Sequence, residues 1–355
     1  MFGKKKRKVR IWNVIISISL LGSCSDPMSS SDSIEGTTIS GETQGTTFNV
    51  IIAESKTDVT KEQLDSLFTA FDNSLSTYVS TSVISKLNNS KDSILVIDKS
   101  GYFKDCYSIS QSIYSSTNGL FDPSVFPLVK GWGFMSNMET PLKEESIDSI
   151  LMFVGFQNKL HHEVLFLGDE IQFSKMNDSF MLDFNAIAQG QSVDVVDDFL
   201  KLKGHSNYYI EIGGEIVVRG KNREGIDWRI GVDVPKENQK NRELENIISV
   251  TEKAIATSGN YRKFYVKDGV KYAHTLNPKT GYPVRHSLLS ATVIANSCVL
   301  ADGYATAFMV MGTAETMKFV NNNSDLNLDV YLLSADGKGG IVRSMSPGFE
   351  KYIAD

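Results

Sequence analysis

Between residue 39 and the C-terminus, strand-like and helix-like segments succeed one another without a strict βαβ rhythm, and no linker separates them. A doubly wound parallel sheet needs that rhythm. The pattern points instead to an α+β fold, one large unit of mixed sheets with packed helices over residues 39–355. A chain of 355 residues can bury a substantial core. Thr46 to Ala53 is β-branched and apolar and reads as an opening strand. Leu64, Leu67, Phe68 and Phe71 make a helical stripe over Lys61 to Ser74. Further helices are expected over Lys104–Ser115, Ile187–Leu202 and Val299–Met311. Strands are expected over Tyr208–Ile212, Ile216–Arg219, Trp228–Val234 and Lys263–Val266. Asp122 to Phe134, with Pro123 and Pro127, reads as irregular.

The first 23 residues belong to targeting rather than to the fold. Six basic residues (Lys4, Lys5, Lys6, Arg7, Lys8, Arg10) precede a short apolar run from Ile11 to Leu21. The run is too short to span a bilayer comfortably and reads as a cleaved export signal. Leu21-Gly22-Ser23-Cys24 resembles the bacterial lipobox, in which the cysteine is lipidated and becomes the first mature residue. Residues 24–38, rich in Ser, Asp and Gly, then form a flexible tether from Cys24. This describes a membrane-anchored lipoprotein facing the periplasm, and Ser25-Asp26 points by analogy to the inner membrane.

The whole chain carries −6; the first 23 residues hold six basic and no acidic ones, so their removal leaves −12. An acidic body lacks the basic footprint that nucleic-acid binding needs. Cys106 and Cys298 remain after Cys24; they could pair once, although buried structural thiols suit both better.

Four clusters carry possible chemistry. Asp302 and Thr306 are i,i+4 neighbours if helical, a carboxylate and a hydroxyl on one face. That suits a hard cation such as Mg²⁺; a capping Asp and a Thr bonded back to its own helix fit equally. Asp183 to Gly190 sets an acid and small residues where a helix opens, a place for an anion or ribose or simply an N-cap. Gly213-Gly214-Glu215 permits close ligand approach or a hairpin turn. Ala256 to Arg262, with its small hydroxyl residues, precedes His274 and the turn-forming Asn277-Pro278-Lys279-Thr280-Gly281. A histidine can act as general base on a hydroxyl. The other histidines (His161, His162, His205, His286) sit in polar stretches.

In this order the clusters resemble the FAD:protein FMN transferases, the ApbE family, over nearly all the mature chain from about Gly41. Gly41 to Phe48 is similar to the family's GxxMGTxY element. Leu75-Ser76-Thr77-Tyr78 with Ile84 to Asn88 is similar to its LSTY and SxISxLN elements. Gly119 to Val125, Pro127-Leu128-Val129 and Trp132-Gly133-Phe134 resemble FDPTVGPLVxxWGF. The Asp183 segment, Ile212 to Glu215, Trp228 to Gly231, Thr257-Ser258-Gly259 and the Asp302 segment complete the set.

The resemblance implies an Mg²⁺-dependent transfer of FMN from FAD to a Thr or Ser hydroxyl of target proteins, with release of AMP. It implies Asp302 and Thr306 as side-chain Mg²⁺ ligands and the Ala186 carbonyl as the third. Asp183 is implied for the adenosine part of FAD, and Gln44, Tyr78, Leu120, Phe121, Asp122 and Gln189 for the flavin cleft. His274 would deprotonate the acceptor hydroxyl. The implied acceptors are redox proteins with a Ser/Thr flavinylation motif, membrane respiratory subunits such as those of Na⁺-translocating NADH:quinone oxidoreductases. Three positions depart from the family pattern: Gln44 for Met, Gln189 for Lys and Glu215 for Asp. An Mg²⁺-dependent FAD pyrophosphatase and a non-catalytic flavin-binding lipoprotein are the alternatives.

Overall fold

The computed structural model describes residues 36–134, 144–235, 244–260, 264–267, 270–273 and 275–354. Its centre is an eight-stranded antiparallel sheet whose strands are mostly buried on both faces. The strands are β1 (Thr37–Thr43), β2 (Thr46–Ile52), β6 (Tyr208–Ile212), β7 (Glu215–Arg219), β10 (Lys253–Gly259), β13 (Leu288–Ala295), β14 (Asp329–Ala335) and β15 (Ile341–Met345). They lie in the order β1-β2-β6-β7-β10-β13-β14-β15. Three smaller sheets join it: β3 (Ile94–Ile97), β5 (Glu170–Lys175) and β4 (His162–Leu167); β8 (Trp228–Asp233) with β9 (Leu244–Val250); and β11 (Phe264–Lys267) with β12 (Val270–Ala273). Residues Ile34–Asp355 cluster as one unit. The fold is α+β, as the irregular alternation of segments led one to expect.

The period-two alternation of a strand sends successive side chains to opposite faces. On β14, Val330 and Leu332 enter the core beneath the helices. Tyr331 and Leu333 enter a second core with Trp228, Ile230 and Ile248 of the β8–β9 ribbon. The helices are α1 (Lys61–Leu75), α2 (Val83–Asn89), α3 (Tyr102–Ser116), α4 (Phe126–Trp132), α5 (Glu144–Leu151), α6 (Ala188–Leu202), α7 (Cys298–Met311) and α8 (Thr313–Asn322). Thr60 and Gln63 close a capping box on α1, fixing its start. Helix α7 buries residues on every side, from Cys298 to Val310, which places it at the centre of the molecule. It packs on β10 and β13 of the sheet and on α3, α6 and α8.

Several expectations need correction. Residues 122–134 are not irregular: a 3₁₀ turn at Pro123–Val125 runs into α4. Both prolines sit in first-turn positions, where a missing N–H breaks no helical bond. The first strand begins inside the stretch expected to be tether, because Thr37 and Thr38 pair with Ile52 and Ile51. Lys263, expected to open a strand, lies outside the described residues; the strand itself runs Phe264–Lys267. His162 is not in polar surroundings. It is buried against Phe180, ring centres 4.3 Å apart, with Tyr107 Oη 3.0 Å from its Nε2. Cys106 and Cys298 are both free, buried thiols.

Candidate active site

A cleft of about 1140 Å³ opens between the sheet, the N-terminal end of α6, the flank of α7 and the segment from Leu120 to Phe134. It exceeds the roughly 300–1,000 Å³ of typical small-molecule pockets, so it suits a large ligand. Of the eleven residues singled out in the sequence, nine line it: Tyr78, Leu120, Phe121, Asp122, Asp183, Ala186, Gln189, Asp302 and Thr306. Gln44 does not. It occupies the two-residue turn between β1 and β2 at φ 52°, and its Oε1 accepts from Ser192 Oγ at 3.3 Å. His274 lies outside the described residues; Thr275, next in the chain, lines the cleft.

Asp183 is fixed from two sides. Its N–H donates to the Pro123 carbonyl at 2.8 Å, tying the two loops of the cleft wall together. One residue earlier, the Asn88 carboxamide on α2 takes both the N–H and the C=O of Leu182, each at 2.7 Å. In the sequence Asn88 is only one residue of the Ile84 to Asn88 motif; its role is tertiary. Asp183 Oδ1 accepts from the Asn185 N–H at 2.9 Å, and burial pushes its carboxyl up to about 6. Asp122 is committed to its own loop and to the distant Phe156 N–H, which reaches its Oδ2 at 3.4 Å. Its Oδ1 accepts from the Ser124 N–H and hydroxyl at 2.7 and 2.6 Å, and burial likewise lifts it to about 6. Asp122 therefore shapes the wall more than it offers free oxygens.

The Gln189 amide donates to the Ile212 carbonyl at 3.0 Å and lies over Gly213, where a Cβ would come within 1.6 Å of that nitrogen. Gly213, at φ 64°, is thus required by both its backbone and its neighbour. At the rim, Tyr78 is 74% exposed and presents a ring to the cleft.

The three residues expected to hold a cation converge on the floor. Thr306 Oγ1 stands 3.5 Å from the Ala186 carbonyl oxygen and 3.3 Å from Ser258 Oγ. Asp302, one turn earlier on the same face of α7, accepts from the Gly190 N–H through Oδ2 at 3.0 Å. Its carboxyl is pushed up to about 7, first by burial and then by the charge of Asp194, against the pull of the Gly190 N–H. No salt bridge to Asp302 exists among the described residues, and none of their His, Cys, Asp and Glu side chains form a cluster of three able to hold a metal. The donor set is therefore one carboxylate, hydroxyls and a carbonyl, all hard oxygens. Those donors fit Mg²⁺, which takes few protein ligands and completes its shell with water and substrate phosphate. A buried carboxylate without a cation also fits a site that one would complete. Hydroxyls of Thr257 and Thr292, 2.8 Å apart, extend the polar floor; Thr292 had no signal in the sequence.

Known proteins of one family resemble this chain in sequence and in fold. The profile described as the ApbE family matches residues 44–332. The FAD:protein FMN transferase of Vibrio cholerae is 34% identical over 89% of this chain and 92% of its own length. That of Escherichia coli K12 is 29% identical over 90% of both. Among solved structures, the flavin transferase ApbE from Vibrio cholerae superposes with a TM-score of 0.76 at 31% identity, covering 90% of this chain and 99% of that one. The apo form of the Pseudomonas stutzeri flavinyl transferase ApbE also gives 0.76, at 28% identity over 90% of this chain and 96% of that one.

Proposed function

The chain belongs to the ApbE family, and on that premise we propose that it moves the FMN half of FAD onto a Ser or Thr hydroxyl of other proteins, using Mg²⁺ and releasing AMP. The observation that carries this reading is the meeting of Asp302, Thr306 and the Ala186 carbonyl on the floor of a cleft roomy enough for a dinucleotide. Those three oxygens would hold the ion. Bound there, Mg²⁺ supplies charge neutralisation and a fixed geometry for the pyrophosphate and for the departing AMP.

In the transfer, a bond forms between the acceptor oxygen and the FMN phosphorus while the pyrophosphate P–O bond breaks and its electron pair leaves with AMP. The acceptor proton passes to a base, and His274 is the residue assigned to it by family resemblance. Tyr78 at the rim and Phe121 in the wall offer apolar surface to the flavin ring, which would keep the FMN half in place as AMP departs. Asp183, bonded to Pro123 and steadied through Leu182 by Asn88, is assigned to the adenosine half. Gln189 brings no cation where the family often has Lys. The wall then lacks one positive charge toward the FAD phosphates, and the Gln189 amide is itself engaged with the Ile212 carbonyl, which weakens binding without removing a metal donor.

We assign residues 1–23 to an export signal, Cys24 to lipid attachment and 24–38 to the tether, on the strength of the sequence. Membrane respiratory subunits carrying a flavinylation motif are then the natural acceptors on the periplasmic side. Mass spectrometry of the mature N-terminus checks the anchor: a diacylglyceryl mass on Cys24 supports it, and an unmodified cysteine contradicts it.

To test the reaction, the full chain is incubated with FAD, Mg²⁺ and an acceptor domain bearing a Ser/Thr flavinylation motif. A flavin-fluorescent acceptor with matching AMP is the expected result. Free FMN and an unlabelled acceptor would mean hydrolysis, and unchanged FAD would mean a binding protein.

A further inference from the structure

Helices α6 and α7 meet beneath the cleft in an antiparallel register that repeats every turn. Thr306 Oγ1 faces the Ala186 carbonyl at 3.5 Å. Four residues along each strand of the pair, Asp302 Oδ2 accepts from the Gly190 N–H at 3.0 Å. Four more, and Asp194 accepts from the N–H groups of Cys298 and Val299, one on each carboxylate oxygen, both at 2.8 Å. Four-residue steps keep Cys298, Asp302 and Thr306 on one face of α7, about 6 Å apart along the axis, opposite Asp194 and Gly190 of α6 and Ala186 just before its start. The first two rungs contain all three residues assigned to the metal. The third contains none of them.

Neither helix caps itself. Ser297 makes no side-chain cap bond for α7, and Ile187 makes none for α6. Each helix instead takes a carboxylate from the other: Asp194 of α6 on the first N–H groups of α7, Asp302 of α7 on the first turn of α6. Such bonds are charge-assisted and aligned with the helix dipole. Between them the backbones come very close. A Cβ on Gly190 would lie 2.4 Å from the Cys298 carbonyl oxygen.

We propose that Asp194 is a positioning residue for the metal site, locking the register of α7 against α6 so that Asp302 and Thr306 stay opposite Ala186. The proposal rests on the Mg²⁺ reading above. A bidentate anchor on two consecutive N–H groups resists both sliding of α7 along its axis and rotation about it. Metal sites tolerate ligand displacements of only about 0.2 Å, so a small slip costs affinity before it costs the fold. Supporting contacts of this kind are worth about 10- to 100-fold in metal affinity.

The test uses the full chain and the near-isosteric Asp194→Asn, which keeps one acceptor oxygen and loses the other. Mg²⁺ is titrated calorimetrically in the presence of FAD without acceptor, and melting is followed without Mg²⁺. The expected result is a Mg²⁺ dissociation constant weakened by about 10-fold or more, with the transfer rate recovering at high Mg²⁺. Asp197→Asn, on the same helix, is the control. It breaks a buried bond from Arg219, so it should lower melting while leaving Mg²⁺ affinity within about twofold, the scatter expected for an uncoupled site. Asp194→Asn that melts lower but binds Mg²⁺ like the parent overturns the proposal. A parent chain that takes up no Mg²⁺ overturns the metal assignment itself, and this inference with it.

Discussion

Single residues carry more of the site than their local sequence reveals. The i,i+4 spacing of Asp302 and Thr306 was legible because a helix fixes it locally. The spacing left open cap or ligand, and the structure shows a cap of another kind: Asp302 accepts a helix N–H, but from α6 rather than from its own helix. Asn88 and Asp194 were illegible for the same physical reason. Each acts on backbone groups about a hundred residues away, Leu182 and Cys298, and no local pattern encodes such a contact. His162 failed differently, since its neighbours in sequence are polar while its neighbours in space are Phe180, Phe156 and Tyr107. Burial, helped by the nearby His161, pushes its imidazole down to about 4. The folded state then stays unprotonated while the unfolded chain takes a proton below about 6.5. Stability from this residue is complete above that pH and is lost as pH falls toward 4, up to about 3 kcal/mol for a shift of this size. His162→Phe should therefore flatten the fall in unfolding free energy between pH 6.5 and 4, measured by denaturant titration. An unchanged slope would show that His162 is protonated without cost.

At the scale of elements, legibility followed the kind of burial. Amphipathic helices such as α1 and α6 were found to within a few residues, because one face is wet and the stripe stands out. Strands such as β13 were not singled out: Leu288–Ala295 is buried on nearly every residue, and a continuous apolar run has no period to read. The hairpin of β4 and β5 carries a signal of its own, the two-residue Gly168-Asp169 turn between them, whereas β3 pairs with β5 from more than seventy residues away and no local pattern announces it. Helix α4 was hidden by prolines that a first turn accepts. The α6–α7 contact makes a prediction of its own. Gly190→Ala places a methyl against the Cys298 carbonyl and must part the helices. It should destabilise the chain by about 1–3 kcal/mol, the usual range for overpacking, seen as a lower melting temperature. A melting temperature equal to the parent's would mean that the two backbones have room to spare.

For the whole molecule, the ordered motifs made the fold class and the family legible, while the strand order was not. The sheet brings β2, β6, β7 and β10 side by side although some two hundred residues separate the first from the last. Closing such loops depends on the sum of many weak pairings rather than on a motif. That order puts Thr47 and Asn49, Glu215, Ser258 and Thr292 around one cleft. Burying the sheet on both faces leaves the cleft mouth as the place where polar groups of several elements converge. The central claim is that Asp302 serves transfer through a cation there. It is tested most directly by repeating the FAD, Mg²⁺ and acceptor incubation with Asp302→Ala, scoring flavin on the acceptor and AMP release against Mg²⁺ concentration while circular dichroism follows the fold. The account predicts a folded protein with transfer and AMP release lost together, on the order of 100-fold or more at Mg²⁺ levels that saturate the parent. A folded variant that labels the acceptor at the parent's rate and Mg²⁺ dependence would contradict it.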